Sequence, residues 1–114
     1  MPFNTISKNF IEDETTPWKP VEKGIERKVM AYGEDLMIVK VRFELGAIGS
    51  KHKHVHTQAT LIESGVFEVF INGENKVLKK GDVFYIPSDV LHGVLCIEDG
   101  ILIDVFNPAR KDFL

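Results

Sequence analysis

The chain has 114 residues, 44% hydrophobic and 27% charged, and a net charge of −3 from 14 Lys+Arg against 17 Asp+Glu. A single domain of this size buries roughly two thirds of the surface its unfolded chain exposes, and the composition is that of an ordinary soluble globular fold. No basic run exceeds two residues, which excludes a dedicated nucleic-acid footprint, and no apolar stretch nears the roughly 20 residues of a membrane span.

Residues 1–17 are polar and aperiodic and read as an N-terminal arm, with one barrel domain expected over 18–114. From Gly24 onward the chain becomes a succession of short β-type runs punctuated by Gly, Asn-Gly and Asp. The expected strands are Ile25–Ala31, Leu36–Phe43, Ala59–Glu63, Val66–Ile71, Lys76–Lys79, Val83–Ile86, His92–Ile97 and Ile101–Phe106. Asn72-Gly73 is a hairpin signal, because both residues tolerate the positive φ of a type I′ turn. Asp99-Gly100 reads as a second hairpin. No segment keeps a 3.6-residue period over helical length. Many short strands in one domain imply an all-β jelly-roll barrel, which hides its strand edges.

Set on these strands is Gly46-(x5)-His52-x-His54-(x3)-Gln58-(x6)-Gly65, followed by Gly81-(x5)-Pro87-(x4)-His92. On one unbroken strand His52 to Gln58 would span about 20 Å, too far to meet one ion. The chain must therefore turn between His54 and Gln58. His52 and His54 then share a strand end, Gln58 returns on the next strand, and His92 arrives from a distant one. Imidazole is the usual ligand of divalent first-row metals, so the pattern reads as a metal site. His56 falls in the turn with its direction open, and Cys96 reads as a small buried hydrophobe.

These two motifs resemble those of the cupins. The first cupin motif is Gly-(x5)-His-x-His-(x3 or 4)-Glu-(x6)-Gly, and Gln58 occupies its glutamate position. The second is Gly-(x5)-Pro-x-Gly-(x2)-His-(x3)-Asn, with Asp89 in place of the glycine and Cys96 in place of the asparagine. The resemblance implies the RmlC-like cupin barrel and one divalent transition metal ion (Ni, Zn, Mn or Fe) on His52, His54, Gln58 and His92. Glutamine brings a neutral carbonyl oxygen where glutamate would cancel charge, so the ion stays a stronger Lewis acid and oxidised iron is disfavoured.

Asp104 is out of place in the apolar run Ile101-Leu-Ile-Asp-Val-Phe106, where it enters either the barrel lumen or solvent. A carboxylate in the lumen beside a cation is a proton-transfer group. Arg110, after the Pro108 stop, is placed to reach over the mouth toward an anionic ligand. This tail, with Thr16-Pro17-Trp18, the stretch Lys28–Val39 and Gly46-Ala47-Ile48-Gly49, is similar to the pectin-degradation cupins, which convert 4,5-unsaturated uronates to linear keto forms. That resemblance covers roughly 16–114. It implies Asp104 as catalytic, Arg110 and Phe106 as substrate-binding, a sugar acid as the small-molecule substrate, and a homodimer. An iron or manganese dioxygenase and a non-catalytic small-molecule binder are the competing readings. Cys96, as the single cysteine, closes no internal disulfide, and the first residues lack a basic, apolar leader, so the cytoplasm is the expected compartment.

Overall fold

A computed structural model describes residues 6–114 of the chain; residues 1–5 of the expected arm lie outside the described residues. Eight strands run β1 (Lys19–Glu22), β2 (Ile25–Tyr32), β3 (Met37–Phe43), β4 (Ile48–His52), β5 (Thr57–Ile71), β6 (Glu74–Lys79), β7 (Val83–Ile86) and β8 (His92–Asn107), followed by a 3-10 turn at Lys111–Phe113. All pairings are antiparallel. The fold is all-β.

Two long strands organise it. β5 and β8 pair with each other from Thr57↔Asn107 to Ile71↔His92. The first half of β5 also pairs with β7, and its second half with β6. The first half of β8 pairs with β4, and its second half with β3, which continues to β2 and β1. Each long strand thus passes from one sheet into the other, and the two sheets close on a shared interior.

This corrects the strand list in four places. β5 merges two expected strands and β8 merges two more, so Asp99-Gly100 forms no hairpin. At that point the register between β5 and β8 shifts repeatedly from Ile62 to Phe67. A Cβ on Gly65 would stand 2.6 Å from the Asp99 carbonyl oxygen, and one on Gly100 would collide with that of Ser64. The glycines let two bent backbones cross in contact; they do not reverse the chain. β1 and β4 were not expected: β1 is exposed throughout and carries Pro20, and β4 is a largely exposed strand interrupted by Gly49. The Asn72-Gly73 hairpin forms as read, with φ of 49° and 83°.

Apolar alternation sends Ile25, Phe43, Ile62, Phe67, Phe84, Ile86, Cys96 and Leu102 into the main core. Met37, Val39, Phe106 and Ala109 form a second cluster beside it, under the C-terminal segment. Each buried Val, Leu, Ile, Phe or Met among them contributes roughly 1.5–3 kcal/mol by leaving water. Residues 6–17 form no strand and are fastened to β2: Ser7 donates its amide to the Tyr32 carbonyl, and Tyr32 donates to the Ser7 hydroxyl. Lys28, buried on β2, donates to the carbonyls of Asp13 and Thr16 and pairs with the Asp13 carboxylate at 2.7 Å.

Candidate metal centre

His52 ends β4 opposite His92, the first residue of β8, and the two rings lie 4.4 Å apart. The chain then turns through 53–56 and re-enters the sheet at Thr57, which brings His54 to 4.8 Å from the His92 ring. The turn is held by its neighbour after β7: Asp89 donates its amide to the His54 carbonyl and Ser88 its hydroxyl to the Val55 carbonyl. Asp89 has φ of 61°, the left-handed conformation that the motif's glycine would supply. Aspartate is among the few residues that tolerate it.

One ring nitrogen from each of His52, His54 and His92 lies within 4.8 Å of the other two. Each Nδ1 faces a main-chain carbonyl, of Ser50, His56 and Val90 respectively, at 2.8–2.9 Å. A carbonyl only accepts, so each Nδ1 carries a proton and donates it. In the neutral ring this leaves the Nε2 lone pair free, the arrangement that orients metal-binding histidines. Burial first, and then the neighbouring charges, holds His54 below the usual histidine range and pushes His92 down to about 4.

Gln58, at the start of β5, donates its amide N–H to the Thr60 hydroxyl at 2.9 Å, which aims its Oε1 back at the His54 Nε2, 3.1 Å away. Both atoms are then lone-pair bearers with no proton between them. Two donors about 2.1 Å from one ion and at right angles about it stand about 3 Å apart, so the contact fits shared ligation of a cation. The donor set suits a divalent transition metal.

Thr60 in turn donates its hydroxyl to the Asp104 carboxylate at 2.7 Å. Asp104 thus faces the lumen, between Val39 and Thr60 in the paired strands. Burial raises its carboxyl to about 6, against the lowering effects of the Thr60 hydrogen bond and the Arg110 charge. His52, Gln58, His92, Asp104, Phe106 and Arg110 all line one cavity of about 320 Å³. That size suits a small molecule. The cavity also gathers residues that the strand pattern alone did not single out, Arg27 and Phe113 among them.

Phe106 is 2% exposed and stacks edge-on to His54 at 5.8 Å. Arg110 lines the cavity with its fork engaged: Nε and Nη2 donate to the two Asp112 oxygens at 3.0 and 2.8 Å. Its guanidinium lies 4.2 Å from the Phe113 ring and 5.2 Å from that of Phe106. His56 packs on His54 and Phe106, and its buried Nδ1 has no hydrogen-bond partner among the described residues. Cys96 is buried as a small core residue.

Residues 39–106 match the cupin domain family. The chain is 48% identical over 111 residues to the pectin degradation protein KdgF of Dickeya dadantii, a match spanning 96% of this chain and all of that protein. Among solved structures it superposes on an RmlC-like cupin from Shewanella frigidimarina with a TM-score of 0.94 and 40% identity, over 96% of this chain and 99% of that one. It superposes on KdgF from Halomonas sp. with a TM-score of 0.91 and 40% identity, over 95% and 100%.

Proposed function

The chain belongs to the cupin family, and we propose that it is a metal-dependent member that opens and ketonises 4,5-unsaturated uronate monosaccharides. The observation that carries this reading is the hydrogen-bonded path from Gln58, beside His54, through Thr60 to Asp104, which sets a proton-transfer carboxylate beside a neutral ligand set in one cavity. The likeness to a pectin degradation protein supports a sugar acid as substrate, since pectin is a polyuronate.

His52, His54, Gln58 and His92 would hold the ion. When bound, a divalent ion there supplies a Lewis acid for a carboxylate and the adjoining ring oxygen, with its charge undiminished by the ligands. Asp104 takes the proton of the anomeric hydroxyl as the bond from carbon 1 to the ring oxygen breaks, giving an aldehyde and an enolate. It then delivers that proton to carbon 4 as the enolate becomes a ketone. The balance is an isomerisation, and Asp104 ends as it began. A carboxyl near 6 both accepts and returns a proton close to neutral pH. Phe106 walls the sugar face, and Arg110 brings positive charge to the mouth.

The chain is read further as a cytoplasmic homodimer. Cys96 stays a free thiol, which suits a reducing compartment. Leu61, Val83 and Tyr85 leave an apolar outer face on β5 and β7 for a second copy. Among the described residues no helix is long and apolar enough to cross a membrane.

The test follows loss of unsaturated-uronate absorbance by the metal-loaded protein. Asp104→Ala is expected to lower kcat by about 100-fold or more with the metal content retained. An Asp104→Ala protein as fast as the wild type would overturn the assignment, as would oxygen uptake in step with substrate loss.

A further inference from the structure

β2 turns Ile25, Arg27 and Val29 to the barrel interior, so one guanidinium stands between two apolar residues on the inward face. Arg27 is half-buried and lines the cavity together with His52, Gln58, His92, Asp104 and Arg110. The chain has three arginines. Arg42 is paired with Glu26, and Arg110 is paired through its fork with Asp112. Lys28, buried on the opposite face of β2, is paired with Asp13. Arg27 alone of these has no carboxylate partner and no side-chain hydrogen bond among the described residues. It rests 3.7 Å over the Phe113 ring, beside the like charge of Arg110.

A half-buried cation without a counter-charge is costly unless something else supplies one. Burial and the Arg110 charge disfavour its protonated form, only partly offset by the more distant Asp112 and Asp104, and an anion in the cavity would supply the direct partner it lacks. The planar guanidinium fork matches a carboxylate through two parallel hydrogen bonds. The Arg110 fork is spent on Asp112, while that of Arg27 is free.

We propose that Arg27 is the carboxylate-binding residue of the cavity, selecting sugar acids over neutral sugars and esters. This deepens the ring-opening reading above and rests on it for the substrate. Arg27 would share the carboxylate with the bound ion while the reacting carbons lie near Asp104. Its contribution is to binding and discrimination, and the proton transfers remain with Asp104.

Arg27→Met and Arg27→Lys, both in the metal-loaded full chain, are assayed on an unsaturated uronate and on its methyl ester. Arg27→Met is expected to raise KM for the acid about tenfold or more with kcat within about threefold, and to erase the preference for acid over ester. Arg27→Lys is expected to regain part of that preference, a pattern that loss of packing on Phe113 would not give. An unchanged KM for the acid, or an intact preference in Arg27→Met, overturns the proposal. Should the wild type turn over no unsaturated uronate, the ring-opening reading fails while the Arg27 assignment is still decided by calorimetry with saturated galacturonate. Binding by the wild type that weakens about tenfold in Arg27→Met upholds the anchor, whereas equal binding, or none by the wild type, overturns it.

Discussion

Gln58 shows why one atom matters at the scale of a residue. Its amide hydrogen goes to Thr60, whose hydroxyl proton goes to Asp104. A glutamate at 58 has no hydrogen to give, so the single Thr60 proton would face two carboxylates. Gln58→Glu is therefore expected to bind the metal at least as well and yet ketonise about tenfold more slowly, because Asp104 loses its fixed partner. Metal content and kcat measured on the same preparation check this; an unchanged kcat would count against the relay. Asp104 itself carries a stability signature. Its carboxyl titrates near 6 in the fold against 3.8 when free, so ionising it costs the folded state. The benefit of protonation is full below the free value and is lost as pH rises through the folded one. Metal-free Asp104→Asn should accordingly melt above the wild type at about pH 8, with the lead shrinking toward pH 4. Thermal melts at the two pH values decide it, and a lead that does not change with pH speaks against an inward, desolvated carboxylate.

Two strands dominate at the scale of elements, and they also explain what the sequence displayed. Period-two alternation marks most of β3, β5, β7 and β8, since one face of each is buried. Ser64-Gly65 and Asp99-Gly100 look like turns in sequence because turns and crossing corners ask the same thing of the backbone, freedom from a side chain. Gly100→Ala should cost about 2 kcal/mol or more, as the added methyl meets the Ser64 carbonyl with backbone on every side. Denaturant unfolding measures it; a loss under about 0.5 kcal/mol would mean the corner is looser than drawn. The histidines were legible because their offsets are short and local. Thr60, Arg27 and Phe113 were not, because each acquires its place through pairing between distant segments: Thr60 meets Asp104 across 44 residues. Arg27 did leave a trace, as the one charge on the inward face of β2.

At the scale of the whole molecule, the tail completes the cavity. Asn107 donates to the Asp35 carbonyl and Ala109 to that of Glu34, which pins the segment before Arg110 to the turn between β2 and β3. Arg27 and Arg110 then both lie against Phe113, tying the final turn to the mouth. On the opposite side of the sheet, Leu61, Val83 and Tyr85 are 40%, 60% and 60% exposed, a patch that a second copy would cover. Sedimentation should find a dimer for the wild type, with Leu61→Lys plus Val83→Lys sedimenting as a monomer; a wild-type monomer at tens of micromolar would remove the homodimer. Convergence of three strands' donors on one ion is tested most directly by metal analysis joined to turnover. About one equivalent of divalent ion per chain is expected, with ketonisation abolished by a chelator, restored on reloading, and absent from His92→Ala, which should hold no ion. Full-rate ketonisation by chelated protein carrying less than about 0.1 equivalent would contradict it.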